Sequence, residues 1–414
     1  MGEMICGQVF SPSDPLTDQQ AEASPAKEHW AATQQEELAA HVLNNTYSEP
    51  IQLPWGQSFT NTGFIYKTKF NENGDVDRYK ERLVFKNHRF SNPTKTWDEV
   101  FSPVVDKTKL RIFLAFAAQR KFFIRQIDII TAFLNAPLPD VCYVKLPKVC
   151  GDPPDLVRQL FKALYGHVEA PKLWNLEWSA VMISLGFVQS KQDPCLWMNK
   201  GKNIFLVLYV DDSLICAKTL RAIDKLIASL KLKFRLWEMG QPTQFLGMTV
   251  SYYQDHGVLA LSQQAYIQKL SSIFNASSII KSPTTPITVD FYKQLEAATP
   301  VLESEYRSLV GGLIFVAVST RPDISFTVSL LTQAFSSPTT LHLSTAYRCL
   351  AYLMGTATYG LTLGGPLSSD LLAFSDSNWA NCPSTRKSMG GFVVFFGTSP
   401  ISWSSKRDPE TLTA

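Results

Sequence analysis

Two apolar runs on either side of an Asp-Asp pair are the feature that most constrains the fold of this chain. Residues 204–217 read IFLVLYVDDSLICA, and both runs are rich in residues that favour strands. A strand pair with buried faces has a fixed register, so the turn between the runs presents Asp211 and Asp212 at one defined position. Adjacent carboxylates repel each other, and their burial is unfavourable unless a cation neutralises them. The segment therefore indicates a magnesium-binding turn, although aspartate is also common in ordinary hairpin turns.

A third aspartate, Asp128, stands at the end of another apolar strand. In the segment RQIDIITAFL, residues 125–134, the pattern changes from strand to helix just after this residue. Taken alone, Asp128 also fits a helix N-cap. Together with the later Asp-Asp turn, it supplies the carboxylates that two-metal phosphoryl transfer needs, where one ion activates a 3′-hydroxyl and the other stabilises the leaving pyrophosphate. The sequence thus predicts a catalytic, metal-binding set of Asp128, Asp211 and Asp212.

The composition is that of a globular protein and does not narrow the function further. Of 414 residues, 45% are apolar and 18% are charged, and the net charge of +3 is too small to indicate a partner. Seven cysteines without a CxxC pair argue against a disulfide framework and against a zinc ribbon. The N-terminus lacks a secretory pattern, and the apolar run at 204–210 is too short to span a bilayer. We therefore expect an intracellular protein, cytoplasmic or nuclear, without a membrane contact.

Strand and helix patterns follow each other irregularly, which favours an α+β fold over a doubly wound sheet. Residues 1–26 are expected to be a disordered tail because they are rich in Ser, Pro, Asp and Gln. Within 63–86, the pair Asn73-Gly74 is a strong hairpin signal between two strands. The other expected elements are a helix around Trp30 to Val42, helices at 110–119, 171–186 and 221–234, a strand at 122–129, a strand and helix at 258–275, a helical block at 303–356 and strands from Leu371 onward.

Several sequence blocks, in one order along the chain, resemble the reverse transcriptase of copia-type LTR retrotransposons. The resemblance starts near Trp30 and covers roughly nine tenths of the chain, which makes a chance match negligible. The blocks that carry it are RYKERLV, WDEVFSPVV, QIDIITAFLN, KALYGHVEAPKLW, DPCLW, YVDD, FLG, YRSLVGGLIF, TRPDISF, SDSNWA, RKSMGGF and ISWSSK.

The resemblance implies a right-hand polymerase that uses Mg²⁺, with Mn²⁺ as an alternative, and that binds an RNA template, a DNA primer and dNTPs. Fingers and palm would occupy 27–252, the thumb and connection 253–365, and an incomplete ribonuclease H-like segment 366–414. The oligomeric state is not implied. Family relatives work in cytoplasmic particles.

The resemblance also implies roles for individual residues around the incoming nucleotide. Asp128 and Asp211 would be the principal metal ligands and Asp212 would support them. Phe133 would lie under the incoming sugar and exclude a 2′-hydroxyl, although core packing also explains an aromatic residue there. Other nucleotide-binding candidates are Lys80, Arg82 and Tyr209. The two basic residues alternate with Glu81 and so share a face of the hairpin, where a solvated charged strand is the simpler explanation.

Two further sites are implied nearer the C-terminus. The turn of Phe245, Leu246 and Gly247 would support the primer strand, unless it is an ordinary strand end. Asp376 matches the first metal-binding aspartate of a ribonuclease H domain. The other ligands of that domain would follow residue 414, so we expect no ribonuclease H activity. The unfinished strands are also expected to leave an exposed apolar edge.

The chain departs from the family pattern at several positions. Glu169 stands where the family has a glutamine that helps to hold the nucleotide, and its charge is unfavourable beside a triphosphate. Phe85 and Asn87 replace Ala and Gly in the fingers. These changes leave an alternative open, in which the chain is a decayed relic that folds and binds nucleic acid without chemistry. A metal-dependent nuclease is a weaker alternative, because the fingers blocks match a polymerase.

Overall fold

The two apolar runs around Asp211 form the centre of a six-stranded antiparallel sheet, here called the palm sheet. The computed structural model describes residues 14–70, 76–86, 101–199, 201, 203–275, 282–295, 298–378 and 386–408. The strand order in the palm sheet is β11-β4-β10-β9-β8-β7. In chain order its strands are β4 (Phe123–Ile129), β7 (Val188–Gln189), β8 (Leu196–Asn199), β9 (Ile204–Tyr209), β10 (Asp212–Ala217) and β11 (Leu236–Gly240).

Alternate side chains of the palm sheet enter two different cores. Ile127, Leu208 and Ile215 face one core, which two helices cover, α4 (Ala170–Ser184) and α5 (Leu220–Lys231). Val207 and Leu214 face the other core, which is covered by helix α3 (Lys107–Gln119) and by a second sheet. Burial on both faces explains why the central strands read as continuous apolar runs, and it fixes their register.

A five-stranded sheet, here called the fingers sheet, holds the predicted hairpin. Its order is β1-β6-β5-β2-β3, with only the β2–β5 pair parallel. Its strands are β1 (Ile51–Gln52), β2 (Phe59–Phe70), β3 (Val76–Phe85), β5 (Pro137–Lys145) and β6 (Leu156–Lys162). The two long strands of the hairpin are confirmed, whereas the predicted turn at Asn73-Gly74 lies outside the described residues. Helix α2 (Lys27–Leu43) confirms the helix predicted around Trp30. It covers this hairpin, and Trp30 is buried against Tyr66.

The prediction of a loose N-terminal tail is wrong for residues 14–26. Helix α1 (Asp18–Ala23) forms there, and the Thr17 hydroxyl caps it by accepting from the Gln20 N–H. Buried Asp14 accepts a hydrogen bond of 2.8 Å from the backbone N–H of Thr68 in the hairpin. Asp18 accepts one of 3.0 Å from the Tyr66 hydroxyl. These long-range bonds hold a segment whose composition alone indicates disorder.

The second half of the chain adds a four-stranded antiparallel sheet and a helical block. The sheet joins β12 (Gln244–Phe245), β13 (Met248–Tyr253), β14 (Val258–Ser262) and β15 (Gly360–Gly364) in that order. The helices are α6 (Gln264–Ile273), α7 (Phe291–Leu295), α8 (Glu303–Ser319), α9 (Ser325–Thr332) and α10 (Thr340–Gly355). Most of the helices enclose a core of their own around Tyr306, Leu313 and Leu350. The predicted helical block is therefore confirmed.

The last described segment is a three-stranded sheet, and a buried arginine of α3 contacts it. Its strands are β16 (Leu371–Ser377), β17 (Met389–Phe396) and β18 (Ser399–Arg407). The Arg111 guanidinium stacks 4.0 Å from the Trp403 ring and donates to the carbonyls of Ile401 (2.7 Å) and Val318 (2.9 Å). Edge strand β16 is exposed along its whole length, including Phe374. This is the exposed apolar edge that the sequence predicts.

The chain is thus a mixed fold of helices and sheets, consistent with a reverse transcriptase domain. Four short 3₁₀ helices complete the described elements, at Ala132–Asn135, Lys148–Cys150, Gln254–His256 and Pro322–Ile324. Among the described residues, no helix is both long and apolar enough to cross a bilayer. The described cysteines are free thiols.

Glu81 generates a prediction about stability because its side chain is buried under α2. It accepts 3.0 Å from the amide of Gln34, and burial raises the pKa of Glu81 to about 7 from an ordinary 4.5. Between these pH values the folded chain keeps a proton that the unfolded chain has released, so this group lowers stability as the pH rises from 4.5 to about 7. We expect Glu81→Gln to remove up to about 3 kcal/mol of that decline in urea unfolding.

The matched control is Glu28→Gln, an exposed position on the same helix α2 that covers Glu81. It is expected to keep the pH dependence of the parent protein. Identical pH profiles for the parent protein and Glu81→Gln would contradict the effect of burial.

Candidate active site

The two-residue turn between β9 and β10 presents Asp211 at the end of the palm sheet. Tyr209 pairs with Asp212, which leaves Val210 and Asp211 as the turn. Val210 has φ of 55°, a left-handed conformation that is unusual for a β-branched residue. The carbonyl of Asp211 accepts a bond of 2.8 Å from the Ile129 N–H. The turn is therefore tied to β4, which is the strand that carries Asp128.

The sheet register places Asp128 and Asp212 directly opposite each other on β4 and β10. Residues opposite each other in antiparallel strands point to the same face, with Cβ atoms about 5 Å apart. The Gln126 amide, two residues before Asp128 on the same face, donates to Oδ1 of Asp212 at 3.3 Å. The predicted set of three aspartates is thus gathered at one end of the palm sheet.

The electrostatics of these carboxylates show the cost of placing them together. Burial and the charge of Asp211 raise the pKa of Asp128 above its ordinary value. Burial, followed by the charge of Asp211, raises the pKa of Asp212 to about 6. Both shifts mean that negative charge is disfavoured here, and a bound cation would reverse them.

Two basic residues of the hairpin face this cluster. Arg82 Nη2 lies 3.9 Å from Oδ2 of Asp211. Burial and the charges of Arg82 and Arg78 lower the pKa of Lys80 to about 8, against the opposing effect of Asp211 and Asp128. Glu81 points the other way, into the fingers core, so the predicted alternation of faces is confirmed.

Tyr165 links the basic hairpin to Phe133. The Arg82 guanidinium stacks 4.1 Å from the Tyr165 ring, and the Phe133 ring lies 4.8 Å from the same ring. Phe133 is half-buried on the 3₁₀ helix that follows β4. Tyr165 belongs to the KALYGHVEAPKLW block, although no role was predicted for it from the sequence. An aromatic residue inside a matched block was the available signal.

Gly166, the residue after Tyr165, allows the backbone here to approach Phe85 at the end of β3. Gly166 has φ of 81°, and a Cβ there would lie 3.0 Å from the Phe85 carbonyl oxygen. Nearby, Glu169 is half-buried at the N-cap of α4, and its N–H donates to Nδ1 of His167 at 3.4 Å. The position of the Glu169 carboxylate beside a triphosphate stays a prediction.

Trp174 supports the turn from below and was also missed. Its indole N–H donates to the Val210 carbonyl at 2.6 Å, and its ring is buried in the core between α4 and the palm sheet. The bond satisfies a carbonyl of the strained turn. No local sequence signal links residue 174 to residue 210, because the contact depends on how α4 packs.

The other predicted site residues lie outside the carboxylate cluster. Phe245 is buried in the core between the palm sheet and the four-stranded sheet. Leu246 and Gly247 form a tight turn with φ of 49° and 75°, and a Cβ on the glycine would meet the Phe315 ring at 3.0 Å. Because the Phe245 side chain is buried, only the backbone of this residue is able to contact a primer. Asp376 is exposed on β16 in the terminal sheet.

A family-implied metal ion can be tested against these donors. Within the described part of the chain, no three Asp, Glu, His or Cys side chains form a ready ligand group. Mg²⁺ in phosphoryl-transfer sites is usually held by one or two carboxylates together with substrate phosphates and water. The mutually repelling pair of Asp128 and Asp211 fits that incomplete type of site.

Comparison with known proteins identifies the family of the chain. Residues 44–288 match the reverse transcriptase (RNA-dependent DNA polymerase) family, a range that includes Lys80, Arg82 and all three aspartates. This chain belongs to the reverse transcriptase family.

Similar proteins are transposon polyproteins, which confirms the copia-type resemblance. The reverse transcriptase is 34% identical over 385 residues to the retrovirus-related Pol polyprotein from transposon RE1 of Arabidopsis thaliana, covering 92% of this chain and 26% of that protein. It is 32% identical over 397 residues to that from transposon TNT 1-94 of Nicotiana tabacum, covering 92% and 29%. It is 31% identical over 287 residues to a putative transposon Ty5-1 protein of Saccharomyces cerevisiae, covering 68% and 92%. The chain spans about a quarter of the length of the two plant polyproteins.

The bond from Trp174 to the turn gives a second prediction. Trp174→Phe keeps an aromatic ring but leaves the Val210 carbonyl without this donor, which costs about 1–3 kcal/mol when the group is buried. The control is Trp178→Phe, one helical turn away, because the buried Trp178 indole N–H has no hydrogen-bond partner among the described residues. In urea unfolding we expect Trp174→Phe to lose about 1–3 kcal/mol more than the control. Equal losses would show that the bond contributes nothing.

Proposed function

We propose that this reverse transcriptase extends a DNA primer on an RNA or DNA template by two-metal nucleotidyl transfer from dNTPs. The observation that carries the proposal is the pair Asp128 and Asp211, held together at the end of the palm sheet and faced by Lys80 and Arg82. Carboxylates beside basic side chains are the arrangement that binds a metal–triphosphate complex.

Asp128 and Asp211 would hold Mg²⁺, or Mn²⁺ in its place, with Asp212 as a supporting carboxylate. When bound, the ions would lower the barrier by activating the primer 3′-hydroxyl and by stabilising the leaving pyrophosphate. The protein's own contribution is position, because the register fixes Asp212 opposite Asp128 and the Ile129 N–H fixes the turn at Asp211.

Lys80 and Arg82 would bind the triphosphate. The Arg82 guanidinium lies over the Tyr165 ring, 4.1 Å from its centre, while Nη2 lies 3.9 Å from Oδ2 of Asp211. A triphosphate nearby would favour the charged form of Lys80, whose pKa is lowered chiefly by burial. Both cations would then neutralise charge that develops on the phosphates.

Phe133 would act on the sugar of the incoming nucleotide. Its tilted contact with the Tyr165 ring, at an interplanar angle of 59°, supports this role, since the contact restricts the Phe133 ring beside the strand that carries Asp128. A fixed ring is able to exclude a 2′-hydroxyl, whereas a mobile ring would move aside. Tyr209, opposite Asp212, would border the primer end from the other side.

The wider architecture of the proposal is a right hand. The fingers and palm would occupy residues 27–252, with the thumb and connection at 253–365 and a ribonuclease H-like segment at 366–414. The two sheets and the hairpin support the first assignment. The turn at Leu246-Gly247 would support the primer by its backbone, because Phe245 is buried.

The loss of Asp211 tests the proposal directly. We expect the parent protein to extend a primer on an RNA template with dNTPs and Mg²⁺, and Asp211→Asn to lose at least about 100-fold, since an amide is a much weaker metal ligand than a carboxylate. The control is Asp224→Asn, an exposed aspartate on α5, which should leave the extension rate unchanged. Products are resolved by length on a denaturing gel.

Other outcomes separate the alternatives. A folded parent protein that binds template–primer without extending it would support the decayed relic, and recovery of extension in Glu169→Gln would assign the defect to that carboxylate. Shortened labelled strands in Mg²⁺ would support the nuclease.

A further inference from the structure

Trp237 lies beside the proposed catalytic carboxylates and has no assigned role. On β11, the edge strand of the palm sheet, it pairs directly with Asp128. The two side chains therefore point to the same face, in a row with Asp212 and Tyr209 on the next two strands. An aromatic ring thus stands at each end of a row of two carboxylates.

Trp237 is 63% exposed. The residues on either side of Trp237 have partners within the protein. Leu236 packs into the core under the sheet, and Glu238 forms an ion pair with Lys231. Within the described residues, the Trp237 ring stacks on no other ring or cation. Burial of a tryptophan removes a large apolar surface from water, so an unburied one beside a charged site is a surface that a ligand is able to cover.

Positive charge precedes this ring in the chain. Lys233 and Arg235 are exposed just before β11, and Arg235 stands two residues from Trp237, which places both on one side of an extended segment. The backbone carbonyl of Arg235 accepts from the Ile130 N–H at 3.0 Å, so the segment is fixed against β4. Basic residues that track a phosphate backbone next to an exposed aromatic ring are the combination that binds single-stranded nucleic acid.

We propose that Trp237 stacks on an unpaired base of the template strand at the edge of the carboxylate site. This inference rests on the proposed function, because it assumes that a template–primer lies across the palm sheet. Bases within a duplex are covered by their neighbours on both faces. The unpaired bases of a template overhang are the ones with a face free for the indole.

The test compares binding to a labelled template–primer with a 5′ overhang and to a blunt duplex of the same sequence. Anisotropy is measured in chelator without dNTPs, so the result does not depend on catalysis. We expect Trp237→Ala to weaken binding to the overhang substrate by about 5- to 100-fold and to leave the blunt duplex unchanged. Trp237→Phe should retain most of the affinity, and Trp55→Ala, which removes a fully exposed tryptophan next to the fingers sheet, should retain all of it.

A second arm changes the nucleic acid and leaves the protein intact. For the parent protein, an abasic nucleotide at the first unpaired template position should lower affinity as much as Trp237→Ala does, and the two changes together should lower it no further. Equal weakening of the overhang and blunt substrates, or additive effects, would overturn the inference. So would a Trp237→Ala protein whose only defect is a raised KM for dNTP.

The outcomes also separate this inference from the proposed function. If the parent protein binds the overhang through Trp237 but never extends the primer, polymerase activity fails and the stacking role stands. If it extends the primer and Trp237→Ala binds like the parent, only the stacking role fails. A folded parent protein that binds no nucleic acid would contradict both.

Discussion

The antiparallel pairing of β4 with β10 is the constraint on which the candidate site depends. It sets Asp128 opposite Asp212 and ties Asp211 to the same strand end, although the three charges repel. One pKa unit corresponds to about 1.4 kcal/mol, so the penalty at Asp212 is about 3 kcal/mol at most. Each fully buried Leu or Ile side chain of these strands contributes about 1.5–3 kcal/mol, and both faces of the sheet carry several. Apolar burial therefore outweighs the repulsion, and it also fixes the register.

The elements around the turn also offset the backbone strain at Val210. A left-handed β-branched residue such as Val210 costs about 1–3 kcal/mol and persists only where its surroundings hold it. Here the Trp174 N–H binds its carbonyl, and the next carbonyl binds the Ile129 N–H. Arg82 approaches Asp211 from a third direction while it stacks on Tyr165. The supports come from distant parts of the chain, so the turn is held only when the helix, the sheet and the hairpin have all packed.

The dependence of the turn on distant parts of the chain explains which features the sequence predicted and which it did not. The strands around Asp211, the helix at 110–119 and the fingers hairpin follow from local periodicity, and all three are confirmed. Helix α1 was missed because bonds from Asp14 and Asp18 to a strand about fifty residues away hold it. The bond from Trp174 to the turn and the pairing of Trp237 with Asp128 were not predicted, because they follow from helix packing and from the position of β11 at the edge of the palm sheet. Spacing predicts which carboxylates meet, but not which residues hold them or border them.

If the proposed site binds a metal and a nucleotide, its charges would favour their binding together. Three carboxylates face Lys80 and Arg82, and the described residues hold no complete protein ligand set for a metal. Phosphate oxygens would complete the coordination of an ion at Asp128 and Asp211, and they would also satisfy the two basic side chains. An ion without phosphates has too few ligands here, and a triphosphate without an ion meets the repulsion of the aspartates. Each component would remove the obstacle to the other, so the proposed site would favour a metal–nucleotide complex over either component alone.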